Sequence, residues 1–416
     1  MLYLCFLPVY IAGNIYFLYE VDHFINAVAA VIKSDHRKKR FRITKIVFNV
    51  LYSFAALSLL MSFAISSEAA ANSEFLFKLR RILKLIGNYH EGVLIYLITA
   101  FVVIGIVRFI RFLYLKISKK EPRVSDARRA LIGLICMLFV LIISIYGVFH
   151  AKKIYREEFN VNIEKDAGDI EDLKVILIAD LHMGYNIGSD YIEEAVSKIN
   201  EEDADLIVIA GDIFDNEYEA LDDPERLISA LQSLKSKYGV YGVLGNHDID
   251  EKILGGFTFG GKKNKQASDE MYEFVEKAGI NILCEDYVLI GDEIYLYGRP
   301  DYERPGRYSL DGRKSPSEIT EELDKDKPII VLEHEPVELQ ELADAGVDMD
   351  LCGHTHDGQI FPLNLTSRYL TWENSAGLLK KDNMYSIVTS GLGLFGPNMR
   401  TGTDSEYCVI NIHFDD

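Results

Sequence analysis

Asp180-Leu-His182, Gly211-Asp212, Gly245-Asn246-His247-Asp248, His334 and Gly353-His354-Thr-His356 share one chemistry: carboxylate, imidazole and amide oxygen, with glycine before three of the five. These donors suit Mn, Fe, Zn or Co. The lack of a thiolate argues against an iron–sulfur cluster or a structural zinc. Singly, each stretch is ordinary, since aspartate caps turns and Asn-His sits in loops. Together they can provide seven ligand residues, one of them a carboxylate bridging two divalent ions. Two ions about 3.5–4 Å apart clamp the oxygens of an in-line phosphoryl displacement.

Something must bring the stretches together. Each follows an apolar run that reads as a buried strand: LKVILIAD, DLIVIAGD, GVYGVLGNHD, PIIVLEHEP and VDMDLCGHTH. Helical spacing marks residues 191–200, 224–237 and 268–277, the second through Leu227, Ile228, Leu231 and Leu234. YVLIGDEIYLYG reads as a hairpin turning at Gly291-Asp292, MYSIVTSGLG and YCVINIHF as two further strands, and the Gly- and Lys-rich stretch 251–266 as a surface loop. Strands alternating with helices predict an α/β domain, and in such sheets ligands bind beyond the carboxyl ends of the strands. In extended backbone, residues two apart face one side, so Asp180 with His182, and His354 with His356, are expected to point together, and Thr355 away. The glycines before Asp212, Asn246 and His354 permit tight turns.

Charge divides the chain. Residues 1–150 carry 19 Lys and Arg against 8 Asp and Glu, and residues 151–416 carry 25 against 55. So acidic a C-terminal half repels polyanions, which excludes a nucleic-acid surface there. Five scattered cysteines with no CxxC pair read as small core residues, not a disulfide framework. In the first half, 46–67, 92–115 and 130–150 are apolar over about the 20 residues that cross a bilayer, and 1–19 is a fourth candidate, retained rather than cleaved. Arg108 and Arg111 lie where they can snorkel. The basic stretch 75–87 reads as a helical loop or an interfacial helix. The loops 33–45 and 116–129 carry seven and six Lys and Arg, and 68–91 and 151–170 four each. The positive-inside rule then predicts the C-terminal half on the outer face of the cell membrane. The expected organisation is an α-helical membrane domain of about four spans (1–150), a linker (151–171) and an α/β domain (172–416).

The order D-x-H, G-D-x-x-D, G-N-H-D, H, G-H-x-H resembles the calcineurin-like metallophosphoesterases, and GHTHDGQIFP resembles their membrane-associated bacterial branch, over residues 172–414. The resemblance implies a two-sheet sandwich flanked by helices and two divalent metal ions. It puts Asp180, His182 and His356 on one ion and Asn246, His334 and His354 on the other. Asp212 bridges them, and a water or hydroxide between the ions is the nucleophile. It makes His247 the group that stabilises the phosphate's developing charge and protonates the leaving oxygen, with Asp248 orienting it. Asn246 and Arg400 are candidates for substrate binding. Asp215 is a candidate for a place behind the ligands. Asp357 replaces the branch's usual glycine, and either bonds a ligand histidine or points outward. The implied function is a membrane-anchored phosphomonoesterase or phosphodiesterase. The alternative is a lipid-linked pyrophosphatase, and a catalytically dead scaffold would have lost some of these ligands. The expected partners are the lipid bilayer and a phosphate-ester substrate, with a lipid-linked one suggested by the membrane half.

Overall fold

The computed structural model describes residues 3–31, 35–66, 69–70, 72–119, 125–249, 252–254, 257–259, 267–302 and 313–415. The chain forms two compact units. One is Met1–Ser66 with Phe75–Val148, and the other Ser67–Glu74 with Phe149–Asp416.

The first unit consists of helices α1 (Tyr3–Val31), α2 (Asp35–Ala64), α3 (Glu74–Ile117) and most of α4 (Asp126–His150). Among the described residues three stretches, Lys39–Ala64, Glu74–Ile117 and Ala127–His150, are long and apolar enough to cross a membrane. Helix α1 is long enough, but Asn14, Glu20, Asp22 and His23 dilute its apolar run, so among the described residues three of the about four expected stretches meet both conditions. The basic stretch 75–87 is no separate loop: it continues without a break into the apolar part of α3. At 44 residues α3 is about 66 Å long, roughly twice the hydrocarbon thickness. The stretch 33–45 is likewise helical from Asp35. Within the bundle the Tyr10 hydroxyl donates to the Ala56 carbonyl at 2.7 Å and that of Tyr52 to Asn14 Oδ1 at 2.7 Å. Arg108 pairs with Glu20 of α1 at 3.2 Å instead of only reaching outward.

The second unit is a two-sheet sandwich. Its strands are β1 (Ile154–Ile163), β2 (Asp172–Ile178), β3 (Leu206–Ala210), β4 (Val240–Val243), the short hairpin β5 (Lys252–Leu254) and β6 (Phe257–Phe259), β7 (Asn281–Ile282), β8 (Asp286–Ile290), β9 (Ile294–Gly298), β10 (Ile329–Leu332), β11 (Met349–Cys352), β12 (Gly377–Lys381), β13 (Met384–Val388) and β14 (Ser405–Phe414). One sheet runs β1-β14-β2-β3-β4-β7 and the other β12-β13-β11-β10-β9-β8. Apart from that hairpin, the stretch 251–266 lies outside the described residues. The segment 151–171, expected as a linker, contains β1, which pairs in parallel with β14 along its whole length. IYREEFNVNI hid this because an edge strand with few buried positions carries polar residues that blur the strand pattern.

Runs buried on both faces explain the central strands: LIVIA of β3 and IIVL of β10 have no exposed residue. Val175, Leu177, Leu206, Val208, Ile330, Leu332 and Leu351 meet between the sheets. Helices α5 (Ser189–Ile199), α6 (Pro224–Gln232) and α7 (Asp269–Lys277) cover the first sheet's outer face through Ile192, Leu227, Leu231 and Phe274. Asp223 and Ser268 cap α6 and α7 by accepting from Arg226 N and Met271 N. On the second sheet, α8 (Pro316–Thr320) and α9 (Leu339–Ala345) pack Ile319, Leu339 and Leu342 against Ile329 and Val331. Beneath that layer Glu333, Asp350 and Cys352 form a fully buried group. The guanidiniums of Arg299 and Arg313 both bond Glu333 there, so arginines already supply its positive charge. Cys352 and Cys408 are free and buried, as core cysteines should be.

Candidate metal centre

Strands β2, β3 and β4 run parallel, as do β10 and β11, so their carboxyl ends lie together within each sheet. The five polar stretches leave these ends and converge on one place. Asp180, His182 and His356 have ligand atoms close enough to share one ion, and so do Asp212, His334 and His354. In the first group His182 Nε2 lies 3.0 Å from His356 Nε2, and His356 Nε2 3.5 Å from Asp180 Oδ1. In the second, His354 Nδ1 lies 3.1 Å from His334 Nε2, and Asn246 Oδ1 is 3.0 Å from His334 Nε2 and 3.1 Å from His354 Nδ1. Asp212 Oδ2 sits between the groups, 3.6 Å from His182 Nε2 and 3.2 Å from His334 Nε2.

The residues fit two cations. His334 Nδ1 donates to the Ala210 carbonyl at 2.7 Å, which turns Nε2 toward the group. Burial, followed by the charges of its neighbours, holds His354 near 3 and His356 well below the usual histidine range. Both are therefore neutral, as metal ligands must be. Burial would raise Asp212, but His334 and His247 hold it well below the usual carboxylate range, while Asp180 is pushed up to about 7, mainly by burial. His182 and His356, both lowered mainly by burial, face each other at 3.0 Å as neutral nitrogens; burial would lower His334 too, but Asp212 raises it well above the usual histidine range, so this buried carboxylate draws positive charge to the centre of the donor set.

The backbone that aims these groups is not extended. Asp180, His182, Asp212, His354 and His356 all have positive φ, between 44° and 72°. That conformation is costly for side-chain-bearing residues and is retained where surrounding structure imposes it. The expectation that extended chain points both members of each pair to one side is therefore corrected: tight left-handed turns do it. Thr355 does point away, its hydroxyl donating to the Ser375 carbonyl. Glycine before Asn246 follows from crowding, since a Cβ on Gly245 would lie 2.2 Å from Asp212 Oδ1.

His247 lies beside both groups, its ring 5.2 Å from that of His182, and its backbone amide donates to Asp212 Oδ1 at 2.8 Å. Asp248 does not orient it. Its carboxylate accepts from Phe214 N at 2.8 Å and Gly245 N at 2.7 Å, pinning two ligand loops, and burial pushes it up to about 7. The ring of His247 is held instead by Asn216, whose Oδ1 accepts from Nδ1. Nothing in the motif marked Asn216, which lies just past G-D-x-x-D. Phe395 was also missed; its ring is 4.6 Å from that of His247 and forms an apolar wall.

Asp215 stands behind the first group, with Oδ1 3.9 Å from His182 Nδ1. Arg400 is fully buried. Its Nη2 donates to the carbonyls of Ser390, Gly391 and Gly393 and lies 3.3 Å from His356 Nδ1. It ties the last loop to the site, which rules out a surface arginine and gives its guanidinium a structural task in place of the expected substrate contact. We predict that Arg400→Met lowers domain stability by about 3 kcal/mol, because three buried carbonyls lose a charged donor. Thermal unfolding measures this, and an unchanged midpoint with only a raised KM would restore the substrate-binding role. Asp357 is buried and meets neither expectation. It faces Arg368 and Ser375, not outward and not a ligand histidine. Gln359 completes GHTHDGQ by accepting from Phe395 N at 3.0 Å and donating to the Pro397 carbonyl at 2.9 Å.

Residues 173–358 match the family model described as calcineurin-like phosphoesterase. An uncharacterized metallophosphoesterase of Helicobacter pylori (strain ATCC 700392 / 26695) is 29% identical over 244 residues, 58% of this chain and 60% of its own length. The chain thus spans about three-fifths of that relative. A transmembrane protein with metallophosphoesterase domain from Danio rerio is 26% identical over 304 residues, 70% of this chain and 64% of its own. The crystal structure of a 5'-nucleotidase precursor from Thermus thermophilus aligns with 58% of this chain and 54% of its own at 15% identity and a TM-score of 0.32.

Proposed function

From the premise that residues 173–358 belong to the calcineurin-like phosphoesterase family, we propose that this chain is a membrane-anchored, dinuclear-metal-dependent phosphohydrolase acting on phosphomonoesters or phosphodiesters at the outer face of the membrane. The observation that carries it is Asp212, whose carboxylate lies between two groups of ligand atoms and beside the backbone of His247. Asp180, His182 and His356 would hold one divalent ion and Asn246, His334 and His354 the other, with Asp212 common to both. When bound, the ions would supply Lewis-acid activation of water and of the phosphate oxygens. The chain's own part follows from its geometry. His247, fixed through Nδ1 by Asn216, offers Nε2 to the departing oxygen and can give it a proton. Phe395 packs its ring beside that of His247. The net negative charge of residues 151–416 supports small or lipid-linked phosphate esters over long nucleic acids.

The test is a Mn²⁺-supplemented screen of the full chain in detergent against aryl phosphomonoesters, phosphodiesters, pyrophosphates and phospholipids. Metal-dependent release from esters is expected. Release from pyrophosphates only would replace this reading with the pyrophosphatase. For sidedness, protease added to intact cells should remove the C-terminal half, and full protection would reverse the topology. Asn216→Ala should lower kcat about tenfold with KM and metal content unchanged, the scale of losing a group that orients a site histidine. An unchanged pH–rate profile with full kcat would remove Asn216 from that role.

A further inference from the structure

We propose that Phe361–Trp372 is a membrane-docking knuckle that dips into the interfacial zone of the bilayer beside the metal centre. Among the described residues beyond 150, eight large hydrophobic side chains are exposed, and five of them lie within ten residues: Phe361, Leu363, Leu365, Tyr369 and Leu370. Tyr369 and Leu370 are 77% and 82% exposed, at the crest of the turn Ser367–Thr371 that follows the short helix α10 (Leu363–Thr366). Scattered apolar residues on a surface need no explanation, but a contiguous group of them does.

The knuckle is held rigidly with its apolar residues outward. Arg368 Nε lies 2.8 Å and 2.9 Å from the two oxygens of buried Asp357, and Ser367 Oγ lies 2.7 Å from Ser375 Oγ. Phe361 N donates to the Thr401 carbonyl at 2.7 Å and Asn364 Nδ2 to that of Gly402 at 3.3 Å. Asp357 thus acquires a purpose: a carboxylate replaces glycine at the foot of the knuckle and fixes the arginine beside its crest.

The occupant is a lipid surface because of what holds the other end of the same loop. His150, the last residue of the candidate span Ala127–His150, lies 2.8 Å from Asp404 Oδ1 and 3.2 Å from the Thr403 carbonyl. The residues that anchor the knuckle, Thr401 and Gly402, immediately precede these two. One loop therefore receives the chain as it leaves an apolar span and carries the exposed apolar crest. Tyrosine and leucine with a neighbouring half-exposed arginine suit the depth where headgroups meet acyl chains. At the far end Trp372 lies with its ring 5.3 Å from that of His354, so the docked surface would be continuous with the second ligand group.

Trp372 is the chain's single tryptophan and reports on this directly. The full chain is reconstituted in phosphatidylcholine vesicles with or without lipid brominated near the carbonyl end of its acyl chains. A loss of Trp372 emission is expected with the brominated lipid. A greater loss is expected for Leu370→Trp combined with Trp372→Phe, which moves the indole to the crest. Tyr369→Ser with Leu370→Ser should abolish the quenching and leave hydrolysis of a water-soluble aryl phosphate unchanged. Equal emission in both vesicles for both reporters overturns the proposal, as does quenching that survives the double serine variant. A reporter shielded from both brominated lipid and aqueous iodide would indicate a protein partner or second copy, and also overturns it. The readout needs no turnover, so it fails or succeeds separately from the proposed hydrolysis.

Discussion

Asp212→Asn is expected to abolish metal-dependent hydrolysis of an aryl phosphodiester and to lower the bound Mn²⁺ below two per chain. The carboxylate is 1% exposed, and one oxygen faces nitrogens of both ligand groups while the other accepts the His247 amide. Asparagine has the same shape but no charge, and in either orientation its amide gives up one of these acceptor positions. Both groups then lose the anion they share, leaving Asp180 as the one ligand carboxylate between them. Activity assays with elemental analysis of the purified full chain test this. Wild-type activity with full metal content would show that Asp212 does not bridge.

His247→Ala is expected to lower kcat by at least about 10²-fold, the usual scale for an acid–base group, while metal content stays at the wild-type level. The separation follows from geometry: the Nδ1 of His247 is taken by Asn216, and the contact to Asp212 comes from the backbone amide, which alanine keeps. Loss of metal together with activity would place His247 among the ligands. Asn216→Ala should be the milder change, because the ring remains and only its orientation loosens.

The ligand stretches were legible because strand and ligand are adjacent in sequence: LIVIA runs directly into Gly211-Asp212, and MDLC into Gly353-His354. The helices were legible through amphipathic spacing, as in Leu227, Ile228 and Leu231 of α6. The edge strand β1 was not, since its partner β14 lies some 250 residues away and its own residues are mostly polar. The three apolar helices were legible by composition, but the continuity of α3 was not, because a charged turn of helix and a charged loop read alike.

By itself the sequence determined which residue types collect at the strand ends, the chemistry they permit and the division between an apolar half and an acidic half. Those properties are local or additive along the chain. Only the tertiary structure decided the partners of buried polar groups: Asn216 for His247, backbone amides for Asp248, three carbonyls for Arg400 and Arg368 for Asp357. A buried polar side chain must satisfy its hydrogen bonds with whatever the fold brings within about 3 Å. For residues on loops, that neighbour is set by packing between distant segments and not by spacing along the chain.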